Sequence, residues 1–246
     1  MKILGDYHTH TTFSHGKGSV LDNALSAKQN GLTEIAIADH GFGHLLYGMK
    51  RKDLPTLKQQ ILKAQEETGI KIYLGVEANF TSLEGDIDIT EKDLENIEVL
   101  LVGHHRFVKS SLKDKFKFFI PNMLGVKSKK QIERNTNAIC LAMDKHPIDV
   151  LTHLKHGIAV DIEKVAKKAV ETNTYIELNA SKMLFTKKEL LMMVRLGVKF
   201  VINTDAHKPQ KVGVAENVIK TLEEYGVPLD SVANLNGVPK FKRVKR

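Results

Sequence analysis

Cysteine and long apolar runs are the features that this sequence has least of. Its 246 residues include a single cysteine, Cys140 in the apolar helical pattern NAICLAM, so no disulfide can form within the chain. No stretch approaches the roughly 18 apolar residues of a membrane span, and the N-terminus has neither the basic flank nor the apolar core of a signal peptide. These absences predict a cytoplasmic protein with no membrane segment.

Acidic residues are also fewer than basic ones. The chain has 37 Lys and Arg against 29 Asp and Glu, which gives a net charge of +8. This balance suits an anionic ligand or nucleic acid. The basic residues do not alternate with aromatic ones along one groove, so we favour a small anionic ligand over nucleic acid. The basic tail PKFKRVKR, residues 239–246, is interpreted as a solvated, frayed end.

Short apolar runs alternate with helix-like stretches along the whole chain. Seven runs have the character of strands: MKILGDY, LTEIAIAD, IKIYLGVEA, IEVLLVG, IDVLTH, TYIELNA and VKFVINTD. Between them, apolar residues recur at the three- and four-residue spacing of helices. This pattern predicts an α/β fold with a parallel sheet buried on both faces, either a closed barrel or an open doubly wound sheet. No linker, repeat or low-complexity segment divides residues 1–246, so we expect a single domain.

One connection is longer than its counterparts. Residues 106–127, RFVKSSLKDKFKFFIPNMLGVK, are basic and aromatic. Long excursions in compact domains are commonly lids or binding loops. We therefore expect this segment to lie close to a ligand site.

Histidines and carboxylates gather where the predicted strands end. Six of the seven strand ends carry candidate metal ligands, in the segments DYHTH, ADH, VEAN, VGHH, THLKH and NTDAH. In parallel α/β folds the carboxyl ends of the strands meet on one face, where such proteins place their active sites. Of the eleven histidines, eight lie in these segments and His15 follows the first of them closely, so only His44 and His146 lie away from them. The distribution predicts one metal site built from several loops.

The number of candidates indicates more than one ion. His104 and His105 are neighbours that face opposite ways if the chain is extended, and His153 and His156 form a similar ambiguous pair. Counting one residue from each pair leaves seven imidazoles and two carboxylates. Because a zinc-like ion takes about four or five ligands, this set suits two or three ions. No cysteine is among them, which favours Zn²⁺, Mn²⁺ or Fe.

Such a cluster suits a phosphate ester. Divalent ions that outnumber the carboxylates leave positive charge, which attracts a polyanion. Clustered ions also lower the pKa of a bridging water and hold the attacking and leaving oxygens of a displacement. The sequence therefore predicts metal-assisted hydrolysis of a phosphoester.

Six segments resemble, in order and spacing, the motifs of the polymerase-and-histidinol-phosphatase (PHP) superfamily. They are HTHTTFSHG, ADHG, GVEAN, VGHH, THLKHG and NTDAH, and they extend from Asp6 to His207. The similarity is greatest to the stand-alone histidinol-phosphatase-type members. It implies a distorted seven-stranded (β/α)7 barrel of the TIM type with a two- or three-metal phosphoesterase site.

The resemblance also implies a ligand set. His105 is preferred to His104 because it stands two residues after Gly103, and His153 is preferred to His156 because it follows the strand IDVLT directly. Glu77 is implied to bridge two ions. The implied metal ligands are His8, His10, His15, His40, Glu77, His105, His153, Asp205 and His207.

Catalytic roles are predicted for three residues. Asp205 and His207 close the last strand as a pair, and Asp39 is expected to orient His40 or to take part in proton transfer. At His15 many relatives have Asp, so this chain is expected to hold a more positive cluster.

Cations beside the motifs are candidate substrate contacts, because they would neutralise phosphate oxygens. Asn179 and Ser181 occupy the one strand end without a metal-ligand histidine. The predicted substrate-binding residues are Arg106, Lys155, Asn179, Lys182 and Lys208, with Ser181 beside them.

The leading hypothesis is a phosphatase for a small phosphate monoester, with histidinol phosphate the first substrate that the resemblance suggests. The superfamily also implies a protein-tyrosine phosphatase or a nuclease that processes DNA ends. A non-catalytic metal-binding barrel is a further alternative, although a structural zinc site is complete with about four ligands and has no use for nine. The sequence leaves the oligomeric state open.

Overall fold

The computed structural model describes residues 1–244, and its centre is one sheet of seven parallel strands in the order β1 to β7. The strands are β1 Gly5–Thr9, β2 Glu34–Ile37, β3 Lys71–Asn79, β4 Val99–Gly103, β5 Val150–Leu151, β6 Tyr175–Asn179 and β7 Phe200–Asn203. The helices are α1 Val20–Gln29, α2 Leu54–Thr68, α3 Glu91–Leu94, α4 Leu112–Asp114, α5 Ile120–Met123, α6 Lys129–Lys145, α7 Ile162–Glu171, α8 Lys187–Arg195 and α9 Glu216–Tyr225. A π-helix, Lys115–Phe119, joins α4 to α5, and short 3₁₀ turns lie at Arg51–Asp53, Pro209–Lys211 and Leu229–Ser231.

The long helices begin and end where the local sequence allows. Ser19 and Thr186 form capping boxes at the starts of α1 and α8, which satisfy backbone N–H groups that have no partner within the helix. Gly69 and Gly226 end α2 and α9 in left-handed conformations, with φ of 74° and 67°. The helix pattern predicted between the strands is confirmed.

The sheet curls until its first and last strands meet. Beyond the ends of β1 and β7, the His10 amide donates to the Ala206 carbonyl at 2.8 Å, and the Ala206 amide donates to the His8 carbonyl at 3.2 Å. The buried Asp6 carboxylate adds bonds from the Thr204 hydroxyl and, at 3.0 Å, from the Gly213 amide. The result is a nearly closed α/β barrel of the TIM type, which confirms the predicted fold class.

The end of the barrel at which the strands begin is closed by the C-terminal tail. Phe241 is only 5% exposed and packs edge-on against Tyr7, with ring centroids 4.8 Å apart. The amide of Lys242 donates to Asp149 at 2.7 Å, and the Arg243 guanidinium donates to the Ile97 carbonyl at 2.9 Å. The prediction of a frayed tail is wrong for residues 239–244. The tail packs against the apolar end of the barrel, and the lysines around Phe241 made the segment look solvent-exposed in the sequence. Lys245 and Arg246 lie outside the described residues.

The long connection after β4 is a folded segment. Asp114, Phe118 and Asn122, four residues apart, are buried and face the barrel. The Asn122 amide exchanges hydrogen bonds with Asn135 of α6 at 3.0 and 2.8 Å. None of the helices in residues 1–244 has the length and apolar content needed to cross a membrane.

Candidate metal centre

His8 and His10 bring the first two imidazoles to the open end of the barrel. Both are fully buried, His8 within β1 and His10 directly after it. The Nδ1 atom of His8 lies 2.7 Å from a carboxylate oxygen of Glu177, which makes Nδ1 the donor and leaves Nε2 as the ligand atom. This Nε2 lies 3.3 Å from Oε1 of Glu77. The first strand therefore points one oriented imidazole at the carboxylate of the third.

Glu77 is the centre of the cluster. Its Oε1 lies 2.8 Å from Nε2 of His153 and 3.3 Å from Nε2 of His105. Its Oε2 lies 2.9 Å from Nδ1 of His40. The 2.8 Å contact with His153 is a hydrogen-bond distance, and all of these separations are short enough for the atoms to be ligands of shared ions, whose bonds are about 2.1 Å long. Each oxygen faces a different set of imidazoles, which is the geometry a bridging carboxylate needs.

Asp205 and His207 form the other side of the cluster. Oδ1 of Asp205 lies 3.2 Å from Nε2 of His10, and the His207 ring stacks on the His10 ring with centroids 4.3 Å apart. Nδ1 of His207 lies 2.9 Å from the Asp205 carbonyl oxygen, which leaves its Nε2 free. Asp205 and His153 have positive φ, 53° and 27°, which is a strained backbone for residues with side chains. The fold holds both side chains in place at a cost in conformational energy.

The donor atoms fit divalent metal ions. Among the described residues, His8 Nε2, His10 Nε2, His40 Nδ1 and Glu77 Oε2 are buried without a hydrogen-bond partner. Buried polar atoms are normally paired, so the convergence of these four atoms fits a bound ion. Three groups bring their ligand atoms within 4.8 Å of one another: His10, His40 and His207; His8, His10 and Glu77; His40, Glu77 and His105.

Charge and burial act against each other in the cluster. Burial lowers the pKa of His10 well below its usual value, which keeps the imidazole neutral as a ligand must be. Burial opposes ionisation of Glu77 and Asp205. The neighbouring imidazoles nevertheless hold the pKa of both carboxyls well below the ordinary range. His105 and His8 act on Glu77, and His8 and His10 act on Asp205. Both carboxylates are therefore charged near neutral pH.

In each of the two ambiguous histidine pairs, one imidazole faces Glu77 and the other does not. His105 contacts Glu77, whereas the His104 ring packs on Phe118 and Phe119, with centroids 5.3 and 5.8 Å away. Burial lowers the pKa of His104 to about 3. His153 contacts Glu77, whereas His156 is exposed at the rim.

The loop after β1 brings His15 back to the cluster. The His15 ring lies 4.1 Å from the His207 ring and 4.8 Å from the His40 ring. Asp39 fixes this loop, since its carboxylate accepts from the Thr11 amide at 2.7 Å and from the hydroxyls of Thr11 and Ser14. No hydrogen bond within residues 1–244 joins Asp39 to His40. Asp39 thus holds the His15 loop, and the proton transfer expected of it as the alternative to orienting His40 stays a prediction.

Glu177 is a functional candidate that sequence reasoning missed. It is buried in β6 and accepts from Nδ1 of His8 at 2.7 Å, from the His153 amide at 2.7 Å and from the Asn203 amide group at 3.0 Å. A carboxylate that binds the second nitrogen of a metal-ligand imidazole orients it and raises its basicity. The signal was present in TYIELNA, because a charged residue inside a buried strand needs partners.

His44 was also set aside from sequence. Its ring lies 5.2 Å from the His40 ring and 5.9 Å from the His105 ring. The loop folds back because the Leu45 amide donates to the Phe107 carbonyl and the Lys109 amide to the Gly43 carbonyl, both at 2.9 Å. This pairing joins residues 62 and 66 positions apart and leaves no local trace in the sequence.

The predicted substrate contacts fall in different places. Lys208 lines a cavity of about 490 Å³ together with Asp205 and His207. Lys182 lies at the rim with its Nζ 3.5 Å from Nε2 of His156. Asn179 is already engaged, since its Oδ1 accepts from the Ser181 and Lys182 amides and its Nδ2 donates to Glu177.

Two further cations lie outside this cavity. Lys155 is paired with Glu189 at 2.8 Å. Arg106 lines two other cavities, one of which it shares with His104, and no contact within the described residues joins it to the imidazole cluster. These positions separate Lys208 and Lys182 from the other predicted cations.

Comparison with known proteins supports the motif resemblance. A PHP domain model matches residues 6–185. A protein of Thermoanaerobacter sp. strain X514 named "Probable phosphatase" is 30% identical over 249 residues, covering 95% of this chain and 91% of that protein. A protein of Acetivibrio thermocellus with the same name is 30% identical over 253 residues, covering 98% of this chain and 94% of that protein.

A solved structure has the same fold. The histidinol phosphate phosphatase of Lactococcus lactis subsp. lactis Il1403, crystallised with Zn, L-histidinol and phosphate, matches with a TM-score of 0.65 at 17% identity. The match covers 91% of this chain and 94% of that one. Because the PHP domain model matches residues 6–185, which are most of the chain, the chain belongs to the PHP domain family.

Proposed function

We propose that this protein is a metal-dependent phosphatase that hydrolyses a small phosphate monoester, with histidinol phosphate the first candidate substrate. One observation carries the proposal: both oxygens of the buried Glu77 face imidazoles at the separations of shared metal ligands. Bound divalent ions would supply an activated water and stabilise charge on the phosphate oxygens.

The chain's own residues divide into two sides around Glu77. We assign His8, His105 and His153 to the side of Oε1, and His40 to the side of Oε2. His10 lies between Glu77 and Asp205, and His15 and His207 complete the outer side. Each two of the three donor groups have one residue in common, which is His10, His40 or Glu77. Such overlapping groups support two or three neighbouring ions of Zn, Mn or Fe.

Asp205 and His207 lie where the leaving oxygen of a bound ester could receive a proton. They line the cavity of about 490 Å³ in which the alcohol part of an ester has room. His207 is the more exposed of the two, with a side chain 32% exposed against 11% for Asp205. We assign proton transfer to the leaving oxygen to His207, with the charged Asp205 beside it orienting the imidazole and also holding metal.

The cavity suits an amino-alcohol phosphate. Lys208 and Lys211 line it and can bind phosphate oxygens, and Glu216 can pair with an ammonium group. A protein of the same fold was crystallised with L-histidinol and phosphate, which agrees with this chemistry. The single free Cys140 is consistent with the cytoplasmic setting that we propose.

The test combines metal analysis with a substrate screen. We expect two or three divalent ions per chain by elemental analysis, and the highest kcat/KM on histidinol phosphate among a panel with sugar phosphates, a phosphotyrosine peptide and a nucleotide ester. One ion or none with the ligands intact would contradict the multinuclear site. Equal rates on the whole panel would contradict the substrate assignment, and preference for the peptide or the nucleotide ester would favour the other two superfamily activities.

A matched pair of variants ties the activity to the cluster. His105→Gln should lose metal and activity together, because His105 contacts Glu77. His146→Gln is the control, since His146 lies after α6 and takes no part in the three donor groups. Loss of activity in both variants would remove the link between turnover and this site.

A further inference from the structure

A second cavity lies on the other side of the chain segments that carry His105 and His44. It has a volume of about 250 Å³, and its walls include Leu45, Phe107 and Met123. These three side chains are 65%, 57% and 48% exposed, so the cavity opens to the surface through an apolar rim. An exposed apolar rim around a cavity marks a ligand or partner site more often than an ordinary surface.

The cavity is separate from the metal centre. His105 faces Glu77, whereas its neighbour His104 lines the cavity. In the same way the His44 ring packs on His40, whereas Leu45 lines the cavity. Each segment contributes one residue to the imidazole cluster and its neighbour to the lining of this cavity, so the two segments lie between the two spaces.

The charged groups that line this cavity are cations, which favours an anionic ligand. Arg106 and Lys115 line it, and no carboxylate is among its lining residues within the described chain. Two more lining residues have a buried polar atom without a hydrogen-bond partner in residues 1–244, Nδ1 of His104 and Oγ of Ser110. His104 is 7% exposed, so leaving its nitrogen unpaired costs free energy that a ligand oxygen would recover.

The apolar part of the cavity indicates what the anion is attached to. Phe119, Ile120 and Met123 line it beside Phe107. A dry apolar cavity of about 150 Å³ already holds a benzene ring, so the larger volume here has room for a ring with a charged substituent. Aromatic side chains at its walls favour a flat ligand.

We propose that this cavity is a second binding site, distinct from the metal centre, for a small aromatic anion. The ring lies against Phe107, Phe119 and Met123, and the carboxylate or phosphate group pairs with Arg106 and Lys115. The site goes beyond the phosphatase function, because no residue of the donor groups lines it.

Isothermal titration calorimetry with 2-naphthoate tests the proposal on the full-length, metal-loaded protein. We expect one molecule bound per chain, with 2-naphthalenemethanol and 2-naphthylmethylammonium binding at least about tenfold more weakly because they lack the negative charge. The Asp205→Asn variant should bind naphthoate as tightly as the wild-type protein, because Asp205 lies in the metal centre and does not line this cavity. Weaker binding to that variant, absence of binding or equal binding of the neutral alcohol would overturn the proposal.

Two matched pairs of surface variants locate the bound molecule. Arg106→Gln should weaken binding on the order of tenfold, and Lys109→Gln, on the same loop but outside the cavity lining, should not. Met123→Ala should weaken it several-fold, whereas Leu124→Ala, at the adjacent exposed position, should not. Equal effects within either pair would place the ligand elsewhere, and thermal melting would confirm that all four variants are folded.

Discussion

The two ends of the barrel differ in the groups that they bury, since one end buries polar atoms and the other buries aromatic rings. Where the strands end, buried donor atoms of His8, His10, His40 and Glu77 have no hydrogen-bond partner within the described residues. Where the strands begin, Tyr7, Tyr73 and Phe241 pack into an apolar plug. One end keeps polar groups available for ligands, and the other supplies packing that holds the strands in register. Stability and chemistry are thus separated along the barrel axis.

Backbone strain follows the same division. Of the five non-glycine residues with positive φ within residues 1–244, four lie in the loops after the strands: Phe107, His153, Lys155 and Asp205. Strain of this kind persists only where surrounding structure enforces it, and it concentrates at functional sites. The buried glutamates differ as well, since Glu34 accepts from the hydroxyls of Tyr7 and Tyr73 at 2.7 and 3.1 Å, whereas Oε2 of Glu77 has no hydrogen-bond partner in residues 1–244.

Removing the charge of Glu77 should have the largest effect on the chemistry. Glu77→Gln takes away the carboxylate that faces both sides of the cluster, so we expect kcat/KM to fall on the order of a thousandfold, or about 4 kcal/mol in the barrier. Steady-state kinetics with metal analysis measures this loss. Glu34→Gln at the opposite end is the control and should keep its activity per folded molecule. Similar losses in both variants would break the contrast between the two ends.

The plug should matter for stability alone. Phe241→Ala removes a ring that packs against Tyr7 and Tyr73, and we expect the free energy of unfolding to fall by about 3 to 4 kcal/mol. Denaturant unfolding measures the change, and kcat of the folded fraction should stay within about twofold. A lowered kcat at full folding would show that the plug communicates with the metal centre.

Asp149 makes the closed end sensitive to pH. Burial raises its pKa from 3.8 to about 6, although the amides of Leu100 and Lys242 donate to it. The folded state therefore holds this proton more tightly than the unfolded state. Its contribution to stability is complete below about pH 4 and is lost as the pH rises through about 6.

The Asp149→Asn variant measures the contribution of Asp149 to the pH dependence of stability. Relative to the variant, the wild-type protein should gain about 2 to 3 kcal/mol of unfolding free energy between about pH 7 and about pH 4. Urea unfolding across that range measures the difference, in which titration of the histidine cluster cancels because both proteins contain it. Parallel stability curves would mean that Asp149 titrates normally.

Glu177 should have a smaller effect on the metal centre than Glu77. Glu177→Gln replaces an acceptor of several N–H groups with an amide that can accept at one atom only, so His8 loses its orientation. We expect metal affinity to fall about 10- to 100-fold, with activity recovered at high metal concentration. Metal-binding isotherms distinguish this positioning role from a structural one, which would lower stability and leave the affinity of the folded protein unchanged.

Much of the fold and part of the site could be predicted from local sequence. The seven strands and their intervening helices appear as runs and periodicities, and the side chains after each strand converge because parallel strands end on one face. His8, Glu77, His105 and His153 meet as the motifs imply. That these residues bind metal remains a prediction until ions are measured.

The failures share a physical origin. Glu177 and His44 join the cluster through hydrogen bonds between residues far apart in the chain, and Phe241 is buried by a barrel end that only the closed sheet creates. Local periodicity carries no information about such contacts. The phosphate contacts expected of Arg106 and Lys155 stay predictions; Lys155 pairs with Glu189, and Arg106 lines a cavity that no residue of the donor groups lines.

The sequence by itself determined the order of the elements, the kind of ligands and the end of the barrel at which they gather, because strand period and residue chemistry are local properties. The tertiary structure decided which imidazole of each pair faces Glu77, which carboxylates orient the others, and how the tail closes the barrel. Those outcomes depend on side-chain direction and on contacts across the closed sheet, and both exist only after the chain has folded.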